Sequence, residues 1–316
     1  MKQEPAFHAG EQALQARVGV QAQMAQIGPR VMRDHMPDQH REFFGLLPFV
    51  VVGSVDAQGQ PWASVLAGEP GFLQSPDPTH LHIRAQALPH DPLQHTLHEG
   101  AALGLLGMQP HTRRRNRMNG TAHLQGDGLL VEVGQSFGNC PKYIQAREPA
   151  WTPSAPASQV VHQGPGLGEA SRHLIRAADT FFIATAHSHA AAASEPRHGV
   201  DVSHRGGAPG FVKVEGERLT VPDFVGNQFF NTLGNIAVHP LAGLLFVDFD
   251  SGDRLYLAAR ASVVWDGAEL KAFTGAQRLL RLDVTSALHV RGGLPLRWGP
   301  AERSPHLAGT GYWPSR

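Results

Sequence analysis

The chain has 316 residues, more than one ordinary domain and close to two. Hydrophobic residues make up 41%, enough for globular cores, and Lys+Arg and Asp+Glu number 27 each, so a zero formal net charge excludes a general polyanion-binding surface. The single cysteine, Cys140, excludes an intramolecular disulfide and a four-thiolate zinc site.

Met1 to Gln12 lacks the apolar core of a signal peptide, and no apolar run approaches the ~20 residues that span a bilayer. A cytoplasmic protein without a membrane partner is expected. Residues 11–34 carry Leu14, Val18, Val20, Met24 and Ile27 at mixed helical spacing and predict a helical lead-in. Pro37 to Phe44 reads as a second short helix, with Pro early and acids in its first turns. The lead-in occupies residues 1–46. Pro48 to Asp56 is an apolar run of strand length, and Ser64-Val-Leu-Ala-Gly-Glu-Pro-Gly-Phe72 follows. Further apolar segments, Leu81-His-Ile83 and Ala102 to Leu106, complete a first β unit over residues 47–149. Ala150 to Ser158 has linker composition, so 150–164 is taken as a linker. Ser171 to Ala178 predicts a short helix leading into a second unit over 165–316.

That second unit repeats the first. Thr180 to Ala186 matches the first strand, and Ser203-His-Arg-Gly-Gly-Ala-Pro-Gly-Phe211 places Ser, Gly, Pro, Gly and Phe in the register of Ser64 to Phe72. Leu219-Thr-Val221 matches Leu81 to Ile83. Leu241 to Leu245 matches Ala102 to Leu106, and Leu255 to Ala261 sits opposite Arg117 to Ala122. The order of elements is the same twice, which predicts a mainly β protein of two tandem barrels with short helices. His187 to His198 is an insertion relative to the first copy and is expected at the surface.

The copies differ where chemistry could enter. Arg205 stands opposite Leu66, a fixed cation beside a glycine turn. Pro222 to Thr232 then leads into an apparent helix from Phe230 to Val238. A Gly226-Asn227 turn opening a helix presents free backbone N–H groups that suit a phosphate, and Arg adds bidentate hydrogen bonds. Asn227, Asn231 and Thr232 supply neutral donors. Such a turn is also compatible with an ordinary helix cap.

The string Val200 to Phe211, followed by Val221 to Ile236 and Gly243 to Phe246, resembles the pyridoxamine 5′-phosphate oxidase-like FMN-binding split barrels. The first half, with Arg113 to Gly120 and Phe137 to Ile144, is similar to tandem members of that superfamily. The likeness covers residues ~40–265 and is more specific in the second half. It implies six-stranded split barrels with FMN in a groove between two of them, normally from two subunits. A homodimer is therefore expected, or a pseudo-dimer of barrels within one chain. The resemblance implies that Val202, Ser203 and Arg205 line the flavin strand. It also implies that Asp223, Phe224, Asn227, Asn231 and Thr232 surround the ribityl-phosphate. Candidates for the facing wall are Arg113, Arg114, Asn116, Asn139, Lys142 and Tyr143. His204 stands where the family has Pro, and Gly207 where it has Asp. The paired C-terminal substrate residues of true pyridoxamine phosphate oxidases are missing, so vitamin B6 oxidation is not the expected reaction.

Other chemistry is weaker in the sequence. In Arg113-Arg-Arg-Asn-Arg117 alternate residues share a strand face, and neutral charge without interleaved aromatics argues against nucleic acid. Nineteen histidines include no His-Glu-x-x-His spacing, and no metal site is expected. Cys140 beside Lys142 fits either a lowered thiol pKa or a buried small hydrophobe. The resulting expectation is an FMN-dependent oxidoreductase moving electrons between a reduced donor and a small-molecule acceptor, with no assignable catalytic acid or base. The alternative is a non-catalytic barrel that binds or senses flavin or another anion.

Overall fold

The computed structural model describes residues 5–126, 128–154, 157–192 and 195–314. Positions 155–156 of the expected linker, 193–194 of the insertion, and Met1 to Glu4 of the N-terminus lie outside them.

The lead-in forms α1 (Ala9–Arg17), α2 (Gln21–Val31) and α3 (Asp38–Gly45). Helix α1 opens with a capping box, His8 accepting from Gly10 N–H and Glu11 accepting from His8 N–H. The first sheet contains β1 (Phe49–Val55), β2 (Pro61–Ala67), β3 (Leu73–Gln74), β4 (His80–Ile83), β5 (Ala102–Gln109), β6 (Arg114–Gln125) and β7 (Gly128–Gly138), with α4 (Leu93–Thr96) between β4 and β5. Two segments cross the expected linker: β8 (Pro149–Trp151), and β9 (Gln159–Gly164), which adds to the second sheet. After α5 (Glu169–Ala177) come β10 (Thr180–Ala186), β11 (Val200–Gly206), β12 (Lys213–Glu215), β13 (Arg218–Asp223), α6 (Asn231–Val238), β14 (Leu241–Val247), β15 (Arg254–Val264), α7 (Ala268–Lys271), β16 (Arg278–Arg291) and β17 (Leu296–Trp298). Helix α6 starts one residue later than the sequence suggests, because Phe230 takes a left-handed conformation at φ 66°. Among the described residues no helix is long and apolar enough to cross a membrane.

The strand orders are β2-β1-β5-β6-β7-β4-β3 and β11-β10-β14-β15-β16-β13-β12. Replacing each strand of the first by its counterpart gives the second, so the duplication extends from sequence to topology. Both halves are antiparallel split barrels. The first sheet carries one strand more than six and the second two, because the short β3 and β12 pair at the edge and β9 adds to β16. Even the irregularity repeats, with bulges at Asn119/Gly120 in β6 and Ala258/Ala259 in β15.

The apolar runs of β1 and β10 are continuous because both faces are buried. Val50 and Val52 face the first barrel's core, and Phe181 and Ile183 face the second's. Phe49, Val51, Phe182 and Ala184 belong to a third cluster between the barrels, with Val65, Leu106, Val202 and Leu245. Two glycines let the barrels touch. A Cβ on Gly243 would lie 2.2 Å from Pro61 O, and one on Gly104 would lie 2.6 Å from Val200 O.

Candidate functional site

Where the barrels meet, an open cleft is lined from both halves of this chain. The second barrel supplies β11 with Ser203, His204 and Arg205, the loop Asp223 to Phe230, the start of α6 and Arg278. The first barrel supplies Arg115 and Arg117 of β6 and the segment Asn139 to Tyr143. The enclosed volume is about 110 Å³. Pockets that swallow a drug-sized ligand hold roughly 300 Å³ or more, so this one has enclosed room for a small group only.

Charge is the cleft's main property. Arg115, Arg117, Lys142, Arg205 and Arg278 line it, against one lining carboxylate, Asp223. Asp223 lies 3.0 Å from Arg278 Nε and 3.9 Å from Arg205. Arg117 is 2.9 Å from the buried Asp201. Arg115 and Lys142 have no carboxylate partner among the described residues. The protein packed around Arg115 pushes its pKa down to about 9, and Arg117 and Arg205 push the same way. It stays cationic at neutral pH, and its neighbours repel rather than neutralise it.

His204 is held neutral. Burial first, then Arg115, Arg205 and Arg147, drive its pKa well below the ordinary value. Arg115 Nη1 lies 3.4 Å from His204 Nδ1, and an arginine can only donate. Nδ1 therefore accepts and Nε2 carries the proton, buried and without a hydrogen-bond partner.

The neutral donors expected around a phosphate are mostly used within the protein. Asn231 donates to Glu11 (2.6 Å) and accepts from Arg117 (3.1 Å). Thr232 donates to Asp201 (3.0 Å). Asn227 accepts from Phe229 N–H and reaches Asn139. These side chains hold Arg117 and shape the turn. What remains is backbone. Helix α6 has no side-chain cap, so the N–H groups of its first turn are free beside the arginines. Ser203 Oγ accepts from Arg117 (2.5 Å) and Arg205 (3.1 Å), which leaves its proton to donate.

Backbone strain gathers here too. Five described non-glycine residues have positive φ, and Tyr143, Gln228 and Phe230 among them line the cleft. Tyr143 packs on Phe224 at 4.9 Å and donates to Val225 O, which joins the loops of the two barrels. Gly206 is required at this junction, since a Cβ would lie 2.0 Å from Tyr143 O.

Of the residues expected at the site, Ser203, Arg205, Asp223, Phe224, Asn227, Asn231, Thr232, Lys142 and Tyr143 line this one cleft. Val202 does not line the cleft, because strand alternation turns it into the core between the barrels. Arg113 precedes β6 in a left-handed conformation and binds Glu302 (2.7 Å) and Ile144 O (3.2 Å) instead. Arg114 stacks on Phe43, and Asn116 lies outside the lining. Sequence reasoning missed Arg278. It also left Arg115 and Arg117 off the wall, although their alternation in the basic run marked a common face.

Among the described residues, His187, His189 and His198 bring ring nitrogens within 4.8 Å of one another. His187 and His198 stack nearly parallel, at 4.1 Å and 17°. Lone pairs lie in the ring plane, so stacked rings direct them side by side rather than toward one ion. Burial and then His198 and His189 lower the His187 pKa to about 4. The cluster is a packed group of rings.

No family model and no curated protein matches the chain. Among solved structures it is similar to HupZ of Group A Streptococcus, at 12% identity and TM-score 0.30, over 38% of this chain and 91% of that one. It is also similar to a candidate pyridoxamine 5′-phosphate oxidase of Lactobacillus delbrueckii, at 17% identity and TM-score 0.31, over 41% and 98%. A third is HutZ, the heme storage protein of Vibrio cholerae, at 16% identity and TM-score 0.27, over 39% and 93%.

Proposed function

We propose that the cleft between the barrels binds FMN by its phosphate and that the protein is an FMN-dependent oxidoreductase. The observation that carries this reading is Arg115. It is a half-buried arginine without a carboxylate, beside Arg205, the Ser203 hydroxyl and the uncapped start of α6. Such an arrangement costs stability unless an anion completes it. The enclosed volume fits a phosphate arm, and the isoalloxazine would lie at the mouth near Tyr143 and Lys142. His204 Nε2–H offers one more donor. Bound flavin would supply the electron transfer; the chain's own residues bind and orient it. Its partners would be a reduced donor and a small-molecule acceptor. The expected homodimer is checked by sedimentation.

Purified protein should be yellow, absorb near ~450 nm, or take up added FMN. Colourless protein that ignores FMN would overturn the cofactor assignment. Arg205→Ala should weaken FMN binding by roughly 1.5–3 kcal/mol, the range for a charged hydrogen bond. Reduced nicotinamide consumed under air separates an enzyme from a flavin-binding protein without turnover.

A further inference from the structure

The duplication gives the cleft a twin. Gly53 pairs with Gly104, which pairs with Asn119; Ala184 pairs with Gly243, which pairs with Ala258. Counting four residues back along β6 and β15 makes Arg115 the counterpart of Arg254, and two residues back makes Arg117 the counterpart of Tyr256. Along β2 and β11 the same registers equate Ser64 with Ser203. The helices correspond as well. Ser54 bonds Thr96 in α4 where Thr185 bonds Asn235 in α6. That match puts Asp91 at the position of Phe230, just before the helix.

In the twin the space is filled by Asp91. Its carboxylate accepts from Tyr256 Oη (2.7 Å) and from Leu93 N–H at the start of α4 (2.8 Å). Ser64 stands beside it, without completing an aligned hydrogen bond, and Arg254 donates to Tyr256 Oη (3.0 Å). Asp91 is 1% exposed and Arg254 fully buried. The serine, helix start and arginine positions that stand open in one cleft surround a carboxylate in the other, bonded to the helix start directly and to the arginine through Tyr256.

We infer that Asp91 is a built-in ligand: its carboxylate fills, in the twin, the oxyanion position that a diffusible anion takes in the open cleft. The chain therefore binds one such anion, and the twin is a vestigial oxyanion site that reopens when Asp91 is removed. This rests on the anion-binding reading of the open cleft, and locates that anion between Arg115, Ser203 and the first turn of α6.

The test is rescue by the excised group. Asp91→Gly should lower the thermal midpoint, and acetate, against chloride at equal ionic strength, should raise it again in proportion to the logarithm of its concentration. Wild type, with only the open cleft to fill, should respond more weakly, and wild type with Arg115→Met should not respond. Asp91→Gly with Arg115→Met should keep the acetate response, which places it at the twin and not the open cleft. If Asp91→Gly fails to fold, its refolding yield in acetate against chloride gives the same readout. The milder variant, Asp91→Asn with Arg254→Met, should fold and ignore acetate. An Asp91→Gly protein indifferent to acetate in both midpoint and yield would overturn the inference, as would two equivalent FMN sites in a titration of wild type. Rescue by acetate in a protein that ignores FMN would leave the twin standing while removing the flavin. FMN binding without rescue would do the reverse.

Discussion

The two clefts were built from one plan and now treat the same cation in opposite ways. Arg254 is fully buried and shares a closed network with Tyr256 and Asp91. Arg115, at the same place in the other half, finds a neutral histidine, a carbonyl and two further arginines. An arginine can be satisfied by the fold, as Arg254 is, or left open to something outside it, as we propose for Arg115.

Substituting the two arginines should separate these roles most sharply. Arg254→Met removes the buried donor to Tyr256, Pro89 O and Gly292 O, and each hydrogen bond from a charged group lost in this way costs roughly 1.5–3 kcal/mol. Arg115→Met removes a charge that its neighbours repel, so stability should hold or rise while affinity for FMN, or for inorganic phosphate, falls. Denaturant melts of both variants, paired with a phosphate titration, check it. Equal destabilisation would erase the distinction between the clefts.

A second difference lies behind the open cleft, where Glu11 of α1 supports Asn231 and through it Arg117. Burial raises the Glu11 pKa to about 8, only partly offset by the bonds from His8 N–H and Asn231. The ordinary value is 4.5, so between these limits the folded state keeps a proton that the unfolded chain releases. This contribution to stability is full below pH 4.5 and is lost as pH rises toward 8, on the order of a few kcal/mol in total. Glu11→Gln should flatten that decline, measured as the difference in unfolding free energy from wild type between pH 5 and about 8. An unchanged slope would show that Glu11 is ionised in the fold.

The interface that joins the clefts is nearly symmetric, and its glycines can be compared directly. Gly243→Ala drives a Cβ onto the backbone of Pro61 and Trp62, while Gly104→Ala meets Val200. Each should cost about 1–3 kcal/mol, as overpacking does, with Gly243 the larger because its contact is closer. Thermal melts rank the two. A silent Gly243→Ala would mean that the barrels can part without loss.

Much of this was legible in the sequence, for identifiable reasons. Ser64 to Phe72 and Ser203 to Phe211 matched because turn chemistry leaves fixed residues at fixed spacing, and the strand order repeats as that match requires. The loop Asp223 to Thr232 was legible for the same reason. Arg278 was not. It lies far along the chain from the motif, and its place beside Asp223 follows from the β13–β16 pairing, a long-range contact. The plugged twin was hidden likewise, because Asp91, Arg254 and Tyr256 carry no shared motif and meet only when the barrels dock. Within the expected linker of 150–164, pairing to β17 and β16 draws the chain into β8 and β9, which local composition does not encode.

The smallest expected effect bears on the one basic run that sequence and structure divide differently. Arg113 was grouped with Arg115 and Arg117 by alternation, but β6 begins at Arg114, and Arg113 turns out of register at φ 55°. Its guanidinium meets Glu302, a carboxylate whose side chain is 77% exposed. A pair so open to water contributes at most about 1 kcal/mol, and salt screens it. Arg113→Ala should therefore shift stability by less than that and leave phosphate or FMN affinity unchanged, whereas Arg115→Ala, two residues on, should weaken binding at least tenfold. The charge removed is the same in both; what differs is that Arg113 faces a carboxylate outside the cleft and Arg115 lines it without one. Equal losses of affinity would show that the cleft attracts anions by its summed field rather than by the placed arginine.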